Sequence, residues 1–140
     1  MNASNFYHRA LVTSLLVTGL VSTAAFAQSE SVGGTLFQGK CAACHQAQGQ
    51  GIDGAFPALS NNKLVQGDTM ALAGVVLRGR GGMPSFQASL NDVEVASILT
   101  FIRSHWGNQA DSVASAEIAN LRLSVAAKEN VDRAQSSTQY

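Results

Sequence analysis

Two cysteines and a histidine stand together as Cys41-Ala42-Ala43-Cys44-His45. Thiols at i and i+3 lie on one side of a helical turn, where each could add to a vinyl group of one porphyrin as a thioether. C-x-x-C-H is the attachment sequence for c-type haem, and the adjoining imidazole would reach the iron as the proximal axial ligand. The same residue types admit other chemistries. A thiol–disulfide exchange pair of the thioredoxin type needs a strand before the motif and a βαβ pattern around it, and neither is legible. Zinc would need Cys41, Cys44, His45 and His105 in one tetrahedron, an awkward demand on adjacent Cys44 and His45. A Cys41–Cys44 disulfide would close a very small loop and stabilise little.

A haem iron held by His45 has a second axial position, and its candidates are Met70, Met83, His105 or none. Met83 is the expected ligand. It sits in Gly81-Gly82-Met83-Pro84, a rigid irregular loop able to lay a sulfur over the ring. Met70 falls in the first turn of an expected helix and reads as packing or surface. His105 falls at the end of another and reads as surface or as a cap for helix carbonyls. A His/Met pair fills both axial positions, which suits electron transfer over substrate binding. An open position would instead suit a haem enzyme or a gas sensor.

The elements that must position these groups are helices and loops, because no segment alternates as a strand does. Residues 32–40 predict a short helix leading into the cysteines, and 46–66, rich in Gly, Gln and Asn, predict a loop. Asp68 is an N-cap for a helix ending near Gly79. Residues 79–84 must be irregular. Asn91 with Glu94 forms a capping-box variant ahead of a helix over 92–105, with Val95, Ile98, Leu99 and Ile102 on one face. Residues 115–125 predict one more short helix, and the rest to Tyr140 predicts disorder.

The first 27 residues read as a leader. Arg9 precedes an apolar run over 11–21, and Ala25-Phe26-Ala27 is an A-x-A cleavage signal. The run falls short of the about 20 residues that a span needs, and no later segment is long enough. Cleavage would leave Gln28 as the first residue; with Arg9 gone, a chain of net charge 0 becomes −1. That balance shows no basic stripe for nucleic acid and predicts weak long-range steering, with Lys40, Lys63, Arg78 and Arg80 as a possible local rim. The expected organisation is a leader over 1–27, a domain over 28–108 and a tail over 109–140. A compact part of about 80 residues with two Gly-rich loops needs a staple in its core.

Three motifs in order make residues 32–108 resemble the class I cytochromes c. They are Cys41-Ala42-Ala43-Cys44-His45, then Phe56-Pro57-Ala58-Leu59, then Gly82-Met83-Pro84-Ser85-Phe86 before a last helix. The resemblance implies a small all-α cytochrome c fold, with three to four helices wrapped around one haem c held covalently through Cys41 and Cys44. It implies that the Pro57 carbonyl accepts a hydrogen bond from the His45 ring and orients it. It also implies a crosswise contact of the first and last helices, Gly33 and Phe37 meeting Ile98, Phe101 and Ile102, with Trp106 as packing. More narrowly, residues 83–108 look like the cytochrome subunits of periplasmic quinoprotein alcohol dehydrogenases and molybdenum aldehyde dehydrogenases. Those often carry three haem motifs where this chain has one. The implied role is a periplasmic one-electron carrier and not an enzyme. Its expected iron ligands are His45 and Met83, its donor a dehydrogenase, and its acceptor an oxidase or another cytochrome of the respiratory chain.

Overall fold

The computed structural model describes residues 24–137. The expected leader falls mostly outside them, at residues 1–23. Six helices follow in order: α1 (Ala24–Lys40), α2 (Ala42–His45), α3 (Lys63–Gln66), α4 (Thr69–Arg78), α5 (Asp92–Ser104) and α6 (Ser115–Ser137). Among the described residues there are no strands, only isolated bridges pairing Ile52 with Phe56 and Arg80 with Met83. This is the small all-α fold that the motifs imply. No described helix is long and apolar enough to cross a membrane.

The helix starts follow from side chains that satisfy orphan amides. Asp68 accepts from the Ala71 N–H at 2.7 Å. Asn91 accepts from the Glu94 N–H at 3.0 Å while Glu94 Oε2 accepts from the Asn91 N–H at 2.8 Å, a complete capping box. The expected loop over 46–66 is interrupted by α3, because Asn62 caps the Leu64 and Val65 amides. Helix α1 begins before residue 32, since Ala24, Ala25 and Ala27 are strong helix formers ahead of the first glycine.

Helices α1 and α5 cross at closest approach where Gly33 meets Ser97. A Cβ built on Gly33 would lie 2.1 Å from the Ser97 carbonyl oxygen and 2.9 Å from the Phe101 Cβ, so any side chain there would hold the helices apart. One turn on, the fully buried Phe37 meets the Phe101 ring at 5.7 Å and the Trp106 ring at 4.9 Å between centroids. The core continues through Leu72 and Leu77 of α4 and Val95, Ile98, Leu99 and Ile102 of α5.

The chain after Asn108 departs from expectation. Helix α6 runs to Ser137 instead of giving way to disorder after residue 125. Ile118 and Val125 are buried, and Leu121 packs at the edge of the core against α4 and α5. Arg122 ties α6 down. Its Nε pairs with Asp92 Oδ1 at 2.8 Å, Nη2 donates to the Leu90 carbonyl at 3.0 Å, and Nη1 donates to the Gln87 carbonyl. Past Val125 the helix is sustained by Ala126, Ala127, Lys128 and Glu129, good helix formers with no Gly or Pro after them, and by opposite charges at i and i+4.

Arg103 is a buried cation that sequence reasoning missed. It is 4 % exposed and has no carboxylate partner among the described residues; its donors go to the carbonyls of Val65, Gly67 and Asp111 at 2.8, 3.0 and 2.8 Å. It thereby joins α3 and the 108–114 segment to the end of α5. Arg103→Leu would strip donors from partly or fully buried carbonyls and is expected to cost about 2 kcal/mol, read from chemical denaturation of the haem-loaded protein.

Candidate functional site

Helix α1 delivers the first cysteine. The Cys41 N–H donates to the Phe37 carbonyl at 2.8 Å, and the Cys44 and His45 amides both donate back to the Cys41 carbonyl, at 3.1 and 2.9 Å. These bonds coil residues 41–45 into one turn and set the thiols and the imidazole along a single edge. The chain then doubles back: the Leu59 N–H donates to the Gly49 carbonyl at 2.7 Å and the Gly51 N–H to the His45 carbonyl at 2.9 Å. That turn brings Pro57 behind His45, whose Nδ1 stands 2.9 Å from the Pro57 carbonyl oxygen. A carbonyl can only accept, so Nδ1 carries the proton and Nε2 keeps its lone pair for a metal.

Asn108 anchors the far end of this loop. It is buried, its Nδ2 donates to the Leu59 and Ile102 carbonyls, each at 2.8 Å, and its Oδ1 accepts from the Asn62 N–H at 3.0 Å. Helix α5 and the loop of the histidine are thus one unit. Sequence reading had no signal for this residue beyond an amide after a Trp-Gly pair.

Met83 arrives from a separate element. Helix α4 ends at Gly79 with φ +76°, and a Cβ there would lie 2.5 Å from the Met83 carbonyl oxygen, so only glycine lets the loop fold back this tightly. Arg80 and Met83 then exchange backbone hydrogen bonds of 3.1 and 3.0 Å across Gly81 and Gly82. The Ser85 hydroxyl donates to the Leu77 carbonyl at 2.5 Å and the Phe86 N–H to the Val76 carbonyl at 3.1 Å, which ties the segment to α4.

These groups line one cleft. Its inner lobe, about 120 Å³, is walled by Phe37, Leu59, Leu72, Val76, Ile98 and Ile102 with Cys41, His45 and Met83 among them. Its outer lobe, about 390 Å³, takes in Cys41, Cys44, His45, residues 55–57 and residues 80–84. Two thiols, an imidazole with a free Nε2 and a thioether on apolar walls are the donor set of a covalently held haem, and the residues fit that group.

The competing donors and chemistries fare differently. Met70 lies partly exposed on α4, and His105 stacks on Phe101 with ring centroids 4.0 Å apart while its Nδ1 lies 2.8 Å from the Phe101 carbonyl oxygen; neither lines the cleft. His105 therefore does not converge with the cysteines and His45 on a zinc tetrahedron. Burial first, and then the charge of Cys44, push the Cys41 thiol up to about 11. Thiols that perform disulfide exchange have lowered values instead, and the element before Cys41 is a helix, not the strand of a thioredoxin site. Of the basic residues expected at the rim, Lys40 and Arg80 line the cleft and Lys63 and Arg78 do not.

Known proteins are similar to this chain in sequence. The family model described as cytochrome c oxidase, cbb3-type, subunit III matches residues 28–102. Cytochrome c-552 of Thermus thermophilus is 36% identical over 116 residues, covering 71% of this chain and 73% of that protein. Cytochrome c6 of Leptolyngbya boryana is 35% identical over 74 residues, 51% of this chain and 87% of that one. The cytochrome c subunit of the quinone alcohol dehydrogenase of Gluconobacter oxydans is 34% identical over 105 residues, 66% of this chain but only 22% of that subunit. The chain thus spans about a fifth of the length of such dehydrogenase subunits. With the motif, the cleft and these relatives in agreement, the chain belongs to the class I cytochromes c, in the family of the cbb3-type subunit III domain, with Cys41 and Cys44 as the attachment pair for haem c.

Proposed function

We propose that this protein is a periplasmic one-electron carrier. Its donor is a dehydrogenase, and its acceptor is an oxidase or another cytochrome of the respiratory chain. His45 and Met83 would hold the iron, with the Pro57 carbonyl orienting the His45 ring. The leader over 1–27 is removed on export, the domain over 28–108 carries the haem, and residues 109–140 complete its core through Val113 and Ile118. The observation that supports this best is the convergence of Cys41, His45 and Met83 on one apolar cleft that neither Met70 nor His105 lines. The dehydrogenase as donor rests on relatives named as cytochrome subunits of quinone alcohol, gluconate and fructose dehydrogenases.

When bound, haem c supplies one reversible electron. The chain's own part is to hold, orient and insulate. His45, with its Nδ1 proton held by Pro57, presents Nε2 in a fixed orientation. Met83 offers a soft thioether that favours the reduced metal. Phe37, Leu59, Leu72 and Ile98 exclude water from the inner lobe, which disfavours added positive charge there and raises the potential. Residues 55–57 and 81–84 leave the outer lobe open, where a partner can come close through a small transient contact, under roughly 1,200 Å².

Carbon monoxide separates this carrier from a haem enzyme or sensor. The reduced protein is expected to bind it slowly, because Met83 must first leave, while oxidised protein is rapidly reduced by a reduced quinoprotein alcohol dehydrogenase. Immediate stoichiometric binding would establish an open sixth position and overturn the carrier reading. Failure to accept electrons from the dehydrogenase would overturn the donor alone.

A further inference from the structure

The polar side chains that line the cleft are almost all spoken for. The His45 ring is held by the Pro57 carbonyl. Asn62 accepts from the Leu64 and Val65 amides and donates to the Ala58 carbonyl. The two thiols are the attachment points. The two cations, Lys40 and Arg80, are the exceptions. Arg80 lines both the inner and the outer lobe, and its exposed guanidinium makes no hydrogen bond or ion pair among the described residues. Other arginines contrast with it: Arg103 donates to three carbonyls, and Arg122 pairs with Asp92 and two carbonyls. Lys40 reaches the outer lobe only.

A haem brings two carboxylates into this apolar space. A carboxylate partly withdrawn from water needs a donor or a cation beside it, and a guanidinium matches its two oxygens with parallel N–H donors. Resting on the reading that His45 and Met83 hold the group in this cleft, we propose that Arg80 is a positioning residue that pairs with a propionate carboxylate of the bound haem. The pairing also has a mechanical side. Arg80 and Met83 exchange both backbone hydrogen bonds across a two-residue turn, so an anchored guanidinium steadies the hairpin that carries the thioether. Its positive charge beside the ring disfavours the oxidised, more positive state.

The test uses the haem-loaded full chain and its Arg80→Gln, Arg80→Lys and Arg78→Gln variants. Resonance Raman propionate bending bands and the midpoint potential are the readouts. Arg80→Gln is expected to shift the propionate bands and lower the potential while the Met–iron charge-transfer band stays. Arg80→Lys is expected to restore most of the potential but not the band positions, since an ammonium keeps the charge and loses the fork. Arg78→Gln removes an equal charge outside the cleft and is expected to leave both readouts in place. Unshifted propionate bands in Arg80→Gln, or an equal change in Arg78→Gln, would overturn the proposal. Absence of the Met–iron band from the unmutated protein would instead overturn the ligand reading, with the Raman comparison still deciding Arg80.

Discussion

Met83→Ala is expected to abolish the Met–iron charge-transfer band and to lower the midpoint potential by on the order of 0.1–0.3 V, part of the roughly 0.8 V that axial ligation commands. The reasoning is local. Met83 is the thioether lining the cleft with His45, and a soft sulfur stabilises the reduced iron more than the oxidised one. Alanine leaves that position to water or to an added ligand, so the reduced variant should bind carbon monoxide rapidly where the parent does so slowly. Covalent attachment through Cys41 and Cys44 should persist, and the pyridine haemochrome of the variant should match that of the parent. Met70→Ala and His105→Ala serve as controls, because neither side chain reaches the cleft. An unchanged charge-transfer band in Met83→Ala, or its loss in Met70→Ala, would show that the sulfur has been assigned to the wrong residue.

Gly33→Ala is expected to be strongly destabilising. The new Cβ would sit 2.1 Å from the Ser97 carbonyl oxygen and 2.8 Å from its carbon. Both are backbone atoms within α5, so no rotamer change relieves the clash and the two helices must part. Overpacking of this kind costs about 3 kcal/mol, which in a domain of this size lowers the melting temperature by more than about 10 °C. Separation would also disturb the site, because α1 ends at the residue before Cys41 and α5 supplies Ile98 and Ile102 to the inner lobe. Gly39 is the matched control. A Cβ there meets nothing within 4 Å, so Gly39→Ala should be neutral or raise stability by about 0.5–1 kcal/mol through helix propensity. Thermal melting of the haem-loaded variants, followed by far-ultraviolet circular dichroism, distinguishes the two. Equal melting of Gly33→Ala and the parent would mean that the helices do not cross where Gly33 meets Ser97.

What could be read in the chain was local in origin. The caps at Asp68 and Asn91–Glu94 use atoms within three residues of one another, so the spacing of residue types suffices to find them. The apolar face of α5 follows likewise from its helical period. The backbone bonds that coil residues 41–45 are equally short in range. Contacts between distant segments were legible only where a family pattern carried them, as with Gly33 and Phe37 against α5. Trp106, expected as packing, does pack, with its ring on Phe37.

The misses have the opposite character. Arg103 looks like a surface cation in the last turn of a helix, yet it is buried because the carbonyls of Val65 and Gly67, more than thirty residues earlier, need its donors. Asn108 joins Leu59, Asn62 and Ile102 in the same way. Helix α6 carries too few apolar residues to announce a buried stripe, and its place on the core depends on Ile118, Val125 and the Arg122 bonds. No window of sequence holds both partners of such interactions.

For this protein the sequence by itself determined the reactive inventory: two thiols one helical turn apart, an imidazole beside them and thioethers further on. Those identities follow from side-chain chemistry and near-neighbour spacing alone. The rigid Gly-Gly-Met-Pro loop already favoured Met83 over Met70, but how that sulfur comes to line the cleft was decided only by tertiary structure. The left-handed turn at Gly79, the hairpin of Arg80 and Met83 and the bonds from Ser85 and Phe86 back to α4 turn Met83 inward. The helical register of α4 leaves Met70 at the surface. A donor atom's chemistry belongs to its residue, but its position over a metal belongs to the packed backbone around it.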